Sequence, residues 1–206
     1  MNDMERPIAI IGYSGHAYVV IDALQSAGKC VTAYCDGEKK AANPFALTYL
    51  GRETEAIEEL KQFDYFASVG DNRIRRKIAE FMESMIHRPA ITVIHPSAVI
   101  AQSVQAGHGV LVCAGALINP LAVIGNGAIC NTGAIVEHEC RIGEYVHIAP
   151  GAVLCGAVNI GNNTFVGANS VIRQGITIGA NVIIGAGSVV TKDIPDGAQV
   201  IGNPAR

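Results

Sequence analysis

From Ile94 to Val190, an apolar and almost always aliphatic residue returns at every sixth position of the chain. Stepping by six through this segment meets an apolar residue at each of 17 positions, and 15 of them are Ile, Leu or Val. A six-residue period matches neither the 3.6-residue turn of an α-helix nor the two-residue alternation of a long strand. It is typical of short strands joined by tight turns, with the aliphatic side chain pointing into a stacked core.

The residues between these aliphatic positions support the same reading. Four residues after each aliphatic residue, the chain carries a small or β-branched residue such as Ala128 or Ser170, with Cys140 the least typical. Gly often follows the aliphatic residue directly, as at Gly125 and Gly161. Each coil buries its core only against neighbouring coils, so the ends need a cap, and we expect the N-terminal part of the chain to cap one end.

Charge divides the chain into two predicted domains, residues 1–93 and 94–206. The first holds 24 charged residues, whereas residues 94–193 hold seven. Strand-like and helix-like segments alternate in the first domain, which predicts a small Rossmann-like parallel sheet covered by helices. The predicted strands are 8–11, 31–35 and 65–69, and the predicted helices are 16–27, 54–62 and 72–85.

Composition argues against several classes of function. The net charge is −3 and no run of Lys or Arg exceeds three residues, which does not suit a nucleic-acid or anionic-membrane binder. The uncharged residues 89–136 are interrupted too often by Pro, Asn and Gly for a membrane span. Residues 1–6 mix acids and bases, unlike a secretory signal, so we expect a cytoplasmic protein with reduced, buried cysteines.

Three motifs carry a family resemblance: the unbroken hexads, their ending in residues 190–195 (VTKDIP) and 202–205 (GNPA), and the segment 131–140 (NTGAIVEHEC). Together with the preceding domain, they resemble the hexapeptide-repeat acyltransferases, in the sialic-acid O-acetyltransferase-like branch. That branch includes N-acetyltransferases of UDP-4-amino-sugars. The resemblance implies a left-handed parallel β-helix with three hexads per coil, a homotrimer and acetyl-CoA as co-substrate.

His138 is the candidate general base. It lies two residues after an inward-pointing position, hence on an outward turn, between Glu137 and Glu139. A carboxylate beside an imidazole raises its basicity, which suits proton removal near neutral pH. A surface histidine in a polar turn is the alternative from spacing alone. The resemblance makes His138 the base and Glu139 the residue that orients or polarises it.

His147 follows His138 by nine residues, half a coil if three hexads form a coil. The two histidines then project from opposite sides of one prism and cannot meet on one substrate within a chain. Around a threefold axis they can face each other across neighbouring subunits, which predicts a site shared between protomers. By resemblance, His147 contacts the thioester carbonyl of acetyl-CoA and Asn131 lies near the substrate; a packed interface histidine and a turn-capping Asn are the alternatives.

Residues 12–16 (GYSGH) link the first predicted strand to a helix, where backbone N–H groups and the helix dipole can hold a phosphate. The loop lacks the middle Gly of the dinucleotide fingerprint, which disfavours an NAD site. Asp36 ends the second strand and could accept a ribose hydroxyl or a base N–H. By resemblance, the nucleotide-sugar is held by six residues: Ser14, Gly15, His16, Asp36, Gly37 and Gly70.

Three small residues of the later coils, Gly156, Ala168 and Ala186, are predicted to let the pantetheine arm of acetyl-CoA approach. The turns require small residues there as well. The basic residues 73–77 could meet phosphates, but a solvated helix face is the favoured reading. No histidine triad suggests a metal within one chain.

The sequence therefore predicts an acetyl-CoA-dependent N-acetyltransferase acting on the 4-amino group of a UDP-linked 4-amino-4,6-dideoxy sugar in bacterial glycan biosynthesis. O-acetylation of sialic acid, or N-acetylation of a GDP-linked sugar such as perosamine, would use the same base and donor. A non-catalytic trimer that binds a nucleotide or NAD is the alternative from another class.

Overall fold

The computed structural model describes residues 6–206. Residues 1–5, on which much of the argument against a secretory signal rests, lie outside the described part. No helix within residues 6–206 is long and apolar enough to cross a membrane.

The N-terminal domain is a four-stranded parallel sheet in the order β3-β2-β1-β4 with helices against it. Its strands are β1 (Ile8–Ile11), β2 (Val31–Cys35), β3 (Thr48–Tyr49) and β4 (Asp64–Ala67), and its helices are α1 (Gly15–Ser26), α2 (Ile57–Leu60) and α3 (Asn72–Ile86). The predicted Rossmann-like sheet is confirmed. Two details differ: β3 is too short to leave a pattern in the sequence, and α2 is shorter than predicted because the chain forms turns before Ile57.

The second half of the chain winds through three parallel sheets in turn, one strand of each per coil. We name them sheets I, II and III in the order in which the chain meets them. Strands of one sheet pair with strands 18 residues further on, which is three hexads, so the predicted left-handed parallel β-helix is confirmed.

The strands of the β-helix are two residues long. Sheet I contains β5 (Val93–Ile94), β8 (Leu111–Val112), β11 (Ile129–Cys130), β14 (His147–Ile148), β17 (Phe165–Val166), β20 (Ile183–Ile184) and β22 (Gln199–Val200). Sheet II contains β6 (Val99–Ile100), β9 (Leu117–Ile118), β12 (Ile135–Val136), β15 (Val153–Leu154), β18 (Val171–Ile172) and β21 (Val189–Val190). Sheet III contains β7 (Gln105–Ala106), β10 (Val123–Ile124), β13 (Arg141–Ile142), β16 (Asn159–Ile160) and β19 (Thr177–Ile178).

The glycines after the aliphatic positions are explained by the stacking of coils. A Cβ on Gly125 would lie 2.6 Å from the carbonyl carbon of Gly143 in the next coil, and one on Gly161 would lie 2.5 Å from the nitrogen of Ala180. Side chains at these positions would push the coils apart. The glycines therefore set the close spacing that lets the aliphatic residues fill the core.

The aliphatic row is buried from Val112 onward, but the first coil is not covered. Ile94, the first residue of the row, is 43% exposed, and Ala106 is exposed as well. The expectation that the N-terminal domain caps this end is therefore wrong. Outward residues of sheet I, namely Val93, Leu111 and Ile129, instead belong to the core of the N-terminal domain, which packs on the side of the prism.

The outward faces of the three sheets differ in character. Sheet I begins with the apolar residues under the N-terminal domain and continues through His147 and Phe165 to Gln199. Sheet III carries mostly polar residues, such as Arg141 and Thr177. Sheet II presents an unbroken aliphatic row: Val99, Leu117, Ile135, Val153, Val171 and Val189.

The six cysteines are all free. Four are buried, and burial raises the pKa of the Cys140 thiol to about 11, so it is protonated at neutral pH. The expectation of buried cysteines is wrong for Cys30, which is exposed after α1, and only partly right for Cys155.

Candidate functional site

The loop between β1 and α1 is shaped by Gly12. Its φ of +88° suits glycine, and a Cβ there would lie 2.8 Å from the side chain of Val69. Ser14 precedes the helix in an extended conformation and makes no side-chain cap to it. Ser14 and Gly15 are both exposed, so the N–H groups of the first turn of α1 are open to an anionic ligand.

Asp36 lies beside this loop at the carboxyl end of β2. Its carboxylate accepts the Tyr13 N–H at 2.8 Å and meets the Lys40 ammonium at 3.0 Å. Partial burial raises the pKa of Asp36, but these two partners outweigh it and hold the pKa below its usual value. Asp36 and Gly37 border a cleft of about 310 Å³ together with Gly12 and residues 52–54. The structure thus brings two of the six predicted nucleotide-sugar residues, Asp36 and Gly37, to this cleft.

A second group forms where the N-terminal domain meets sheet I. The Gly70 carbonyl, just beyond β4, accepts a hydrogen bond from His147 Nδ1 at 3.1 Å. Asn131 Nδ2 lies 3.0 Å from His147 Nε2, and the ring of His16 lies 6.0 Å from the ring of His147. Residues predicted from both halves of the chain, His16, Gly70, Asn131 and His147, are therefore neighbours.

Burial sets the charge of the two histidines in this group. It lowers the pKa of His16 to about 4, and the nearby Arg75 guanidinium adds to the effect. Burial also lowers the pKa of His147 to about 4, although the hydrogen bond to Gly70 opposes it. Both imidazoles are consequently neutral at neutral pH.

A cleft of about 610 Å³ opens next to His147, between the N-terminus of α3 and the later strands of sheet I. Gly70 and Arg73 border it on the N-terminal domain, and Phe165 and Ile183 border it on the β-helix. This cleft is large enough to admit part of a ligand or of another chain.

His138 lies elsewhere, on the turn between β12 and β13 where sheets II and III meet. The side chains of His138 and Glu139 are 58% and 59% exposed, and His138 Nδ1 lies 3.1 Å from Glu139 Oε2. If Nδ1 donates to this carboxylate, Nε2 carries a lone pair that can accept a proton. His138 and Glu139, which the sequence predicts as base and orienting carboxylate, therefore form a hydrogen-bonded pair.

The same turn has two unusual features. Glu139 has a φ of +61°, at a position that most other turns fill with Gly or Asn. Gly156, one coil further on, lies against the His138 ring: a Cβ there would be 2.6 Å from Cε1 and Nε2. Gly156 was predicted as an acetyl-CoA contact, and in this chain it also makes room for the imidazole.

The remaining predicted residues are separated from one another. Ala168 and Ala186 lie one coil apart on turns between sheets I and II. Gly156 shares the turn row of His138, between sheets II and III, and His147 lies on sheet I. Because sheet I is opposite the edge where sheets II and III meet, His138 and His147 project to opposite sides of the prism, as predicted.

Sequence reasoning missed the role of Arg75. The sequence favours a solvated helix face for residues 73–77, but Arg75 is 1% exposed, so that interpretation is wrong for it. Its guanidinium donates to carbonyl oxygens of both domains, including Gly70 and, on the β-helix, Gly127 and Tyr145. Burial lowers its pKa to about 10, which leaves it charged at neutral pH. The sequence signal for the burial of Arg75 was its spacing in α3, where it lies seven residues before the buried Met82 and on the same helix face.

The two halves of the chain match two different protein families. Residues 7–82 match the family described as PglD N-terminal domain, and residues 157–192 match the family described as bacterial transferase hexapeptide (six repeats). A perosamine N-acetyltransferase variant from Caulobacter crescentus, solved with CoA and GDP-perosamine, is 38% identical. The alignment covers 97% of this chain and 95% of that one, with a TM-score of 0.91. The chain belongs to this family of hexapeptide-repeat acetyltransferases.

Two further relatives of this acetyltransferase differ in coverage. The acetyltransferase domain of PglB from Neisseria gonorrhoeae, solved with acetyl coenzyme A, is 36% identical with a TM-score of 0.92, and the match covers 98% of both chains. UDP-N-acetylbacillosamine N-acetyltransferase from Bacillus subtilis is 36% identical over 114 residues. That match spans 53% of this chain and 52% of the relative, about half of each.

Proposed function

We propose that this acetyltransferase moves the acetyl group of acetyl-CoA to the 4-amino group of a UDP-linked 4-amino-4,6-dideoxy sugar in bacterial glycan biosynthesis. The observation that carries the proposal is the His138–Glu139 pair, exposed at an edge of the β-helix with Nε2 of His138 free. The Bacillus relative supports the UDP-sugar and the Neisseria structure supports the donor.

In the proposed reaction, the free amine attacks the thioester carbonyl carbon directly. The new C–N bond forms as the C–S bond breaks, and His138 Nε2 takes the proton released by the amine nitrogen. That proton passes to the CoA thiolate, so the products are the acetamido sugar and CoA thiol. General-base catalysis of this kind contributes roughly 10²- to 10⁴-fold to rate. No acyl-enzyme is needed, and Cys140, whose thiol is buried and protonated, is unsuited to form one.

The nucleotide-sugar is assigned to the N-terminal domain. Ser14 and Gly15, at the open start of α1, face the diphosphate, and Asp36 and Gly37 border the cleft for the nucleoside. His16, Gly70 and Asn131 then lie toward the sugar. Asp36 is suited to hydroxyl or N–H donors because its partners keep it ionised.

We assign the acetyl-CoA site to His147, Gly156, Ala168 and Ala186 acting across a subunit boundary. These residues lie on three different sides of one prism, so a single chain does not gather them. A trimer in which the edge of sheets II and III of one chain approaches sheet I of the next would do so.

The outer surface of the β-helix supports this homotrimer. The aliphatic row of sheet II is unpartnered in the single chain, with Val99 63% exposed, whereas sheet III is mostly polar. On sheet I, Phe165 and Ile183 lie beyond the N-terminal domain and offer an apolar counterpart. We place the domain boundary between residues 93 and 94 and the trimer in the cytoplasm, where acetyl-CoA is available.

The test is thiol release from acetyl-CoA by wild-type protein and His138→Ala, with UDP- and GDP-linked 4-amino-sugars and free sialic acid as acceptors. We expect release with a UDP-4-amino-sugar and a loss of roughly 10²- to 10⁴-fold in the variant. Undiminished release in the variant would remove His138 as base. Absence of release with every acceptor would favour the non-catalytic alternative, and release with sialic acid would favour O-acetylation.

GDP-perosamine is the second candidate acceptor. The Caulobacter enzyme complexed with it matches nearly the whole chain, whereas the match to the bacillosamine enzyme covers about half. Preference for the GDP-linked sugar in the same assay would select this candidate.

A further inference from the structure

The hydrogen bonds of His147 fix which of its nitrogens carries the proton. Nδ1 faces the Gly70 carbonyl oxygen at 3.1 Å, and a carbonyl oxygen only accepts, so Nδ1 must carry the hydrogen. The neutral ring then has a lone pair on Nε2. That lone pair is occupied as well, because Nε2 lies 3.0 Å from Asn131 Nδ2.

The amide of Asn131 is oriented from its other end. Its Oδ1 accepts the backbone N–H of Thr132 at 2.8 Å, and a backbone nitrogen only donates, so Oδ1 and Nδ2 cannot be exchanged. One hydrogen of Nδ2 is given to His147. No protein acceptor within residues 6–206 is assigned to the other hydrogen.

Arg75 anchors the opposite end of this chain of bonds. One nitrogen of its guanidinium, Nη1, donates to the carbonyls of Val69 and Gly70 at 3.1 Å each. It therefore fixes the carbonyl that selects the His147 tautomer. Since Arg75 also donates to Gly127 on the β-helix at 2.9 Å, it holds Gly70 in place relative to sheet I.

We propose that Arg75 is a positioning residue that acts through the Gly70 carbonyl and His147 to orient Asn131, whose free amide N–H donates to the thioester oxygen as it becomes negative. In this arrangement His147 has no hydrogen left for that oxygen. His147 still belongs to the predicted acetyl-CoA site, where it orients the Asn131 amide. This inference rests on the proposed acetyl transfer.

The groups around His147 agree with a neutral ring. Arg75 and His16 face it from the N-terminal domain, Phe165 on sheet I and Asn131 just after β11 flank it, and no carboxylate is paired with it within residues 6–206. A positive ring would place an N–H against the Asn131 amide hydrogens.

The tautomer is tested by long-range ¹H–¹⁵N NMR on the full chain, with His147 assigned by comparison with His147→Gln. We expect a neutral imidazole with the hydrogen on Nδ1 at neutral pH. Asn131→Asp should change this state, because a carboxylate facing Nε2 favours a hydrogen there. Asn159→Asp, on sheet III, should not. A wild-type His147 ring that carries its hydrogen on Nε2 would overturn the proposed chain of hydrogen bonds.

Kinetic measurements show whether Arg75 positions the site or only stabilises the fold. Arg75→Lys should lower kcat at least about tenfold with little change in KM, and should shift the His147 tautomer, whereas Arg76→Lys at the neighbouring, partly exposed position should do neither. Asn131→Asp should lower kcat by roughly 10²- to 10³-fold, as for loss of one oxyanion donor. Equal kcat in the two arginine variants, at a temperature where both are folded, would overturn the role of Arg75.

These experiments distinguish failure of the proposed function from failure of this inference. Wild-type protein that releases no thiol overturns the proposed function and the catalytic part of this inference with it. If the protein releases thiol but His147 carries its hydrogen on Nε2, only the proposed chain of hydrogen bonds is overturned.

Discussion

His138 depends on two neighbours for its position. Glu139 holds Nδ1, and Gly156 leaves the space in which the ring lies. Glu139 occupies a left-handed backbone position, which is unfavourable for a residue other than Gly or Asn. This backbone conformation places the Glu139 carboxylate beside the His138 ring.

Gly156→Ala tests this packing. Its backbone is not in the left-handed region, so the fold should tolerate Ala, but the new Cβ would overlap the His138 ring and displace it. We expect kcat for acetyl transfer to fall at least about tenfold while the melting temperature changes little.

The control is the same substitution in the His138→Ala background. There the ring is absent, and Gly156→Ala should cause little further loss. A full additional loss would mean that Gly156 acts on acetyl-CoA independently of His138.

At the residue scale, the sequence predicted side chains that lie on regular turns and strands. His138 and Glu139 could be placed because the hexad register gives each turn position its direction. Arg75 could not be recognised with equal ease, since its partners are backbone carbonyls, which leave no pattern in the sequence. Its helical spacing to Met82 was the available signal.

The outward rows of the three sheets decide what each face of the β-helix can contact. The six-residue period predicted the strands and their inward side chains. It did not predict where the N-terminal domain packs. That depends on the outward residues Val93, Leu111 and Ile129, and the six-residue period does not determine which residue types stand at outward positions. The apolar character of these three residues was visible in the sequence and indicates side-on packing in retrospect.

Val153→Asp tests the role of the sheet II row. A carboxylate in the middle of an apolar contact between chains would be buried without a partner, so the trimer should dissociate and acetyl transfer should be lost. The folded β-helix should persist, because Val153 points outward. Light scattering for mass and circular dichroism for fold are the measurements.

Asn159→Asp provides the matched control, six residues later and outward on sheet III. It should leave both mass and activity unchanged. A monomeric wild-type protein, or a trimeric and active Val153→Asp variant, would contradict this role for sheet II.

The contact between the two domains makes the whole molecule sensitive to acid. His16 and His147 lie at this contact with pKa values of about 4, against about 6.5 for an unfolded histidine. Below pH 6.5 the unfolded chain therefore binds protons that the folded chain does not. Stability is lost as the pH falls from about 6.5 toward 4, by about 2 kcal/mol for one such histidine at pH 5.

Denaturant unfolding at pH 7 and pH 5 measures this loss. His16→Gln should show a smaller difference between the two pH values than wild type, whereas His138→Gln, at an exposed position, should show the wild-type difference. Equal differences in all three proteins would contradict a neutral, buried His16.

At the scale of the assembly, each active centre of the proposed trimer takes its base from one chain and its nucleotide-sugar site from another. Mixing two inactive variants tests this most directly. His138→Ala lacks the base, and Gly15→Glu places a carboxylate where the diphosphate should bind, at a position where a new Cβ would meet no other part of the fold within 4 Å. Co-expressed in equal amounts, the two chains should form mixed trimers with about one quarter of wild-type activity, since a quarter of the interfaces would join two intact halves. If the mixture is as inactive as each variant alone, the reacting groups belong to one chain and the shared site is wrong.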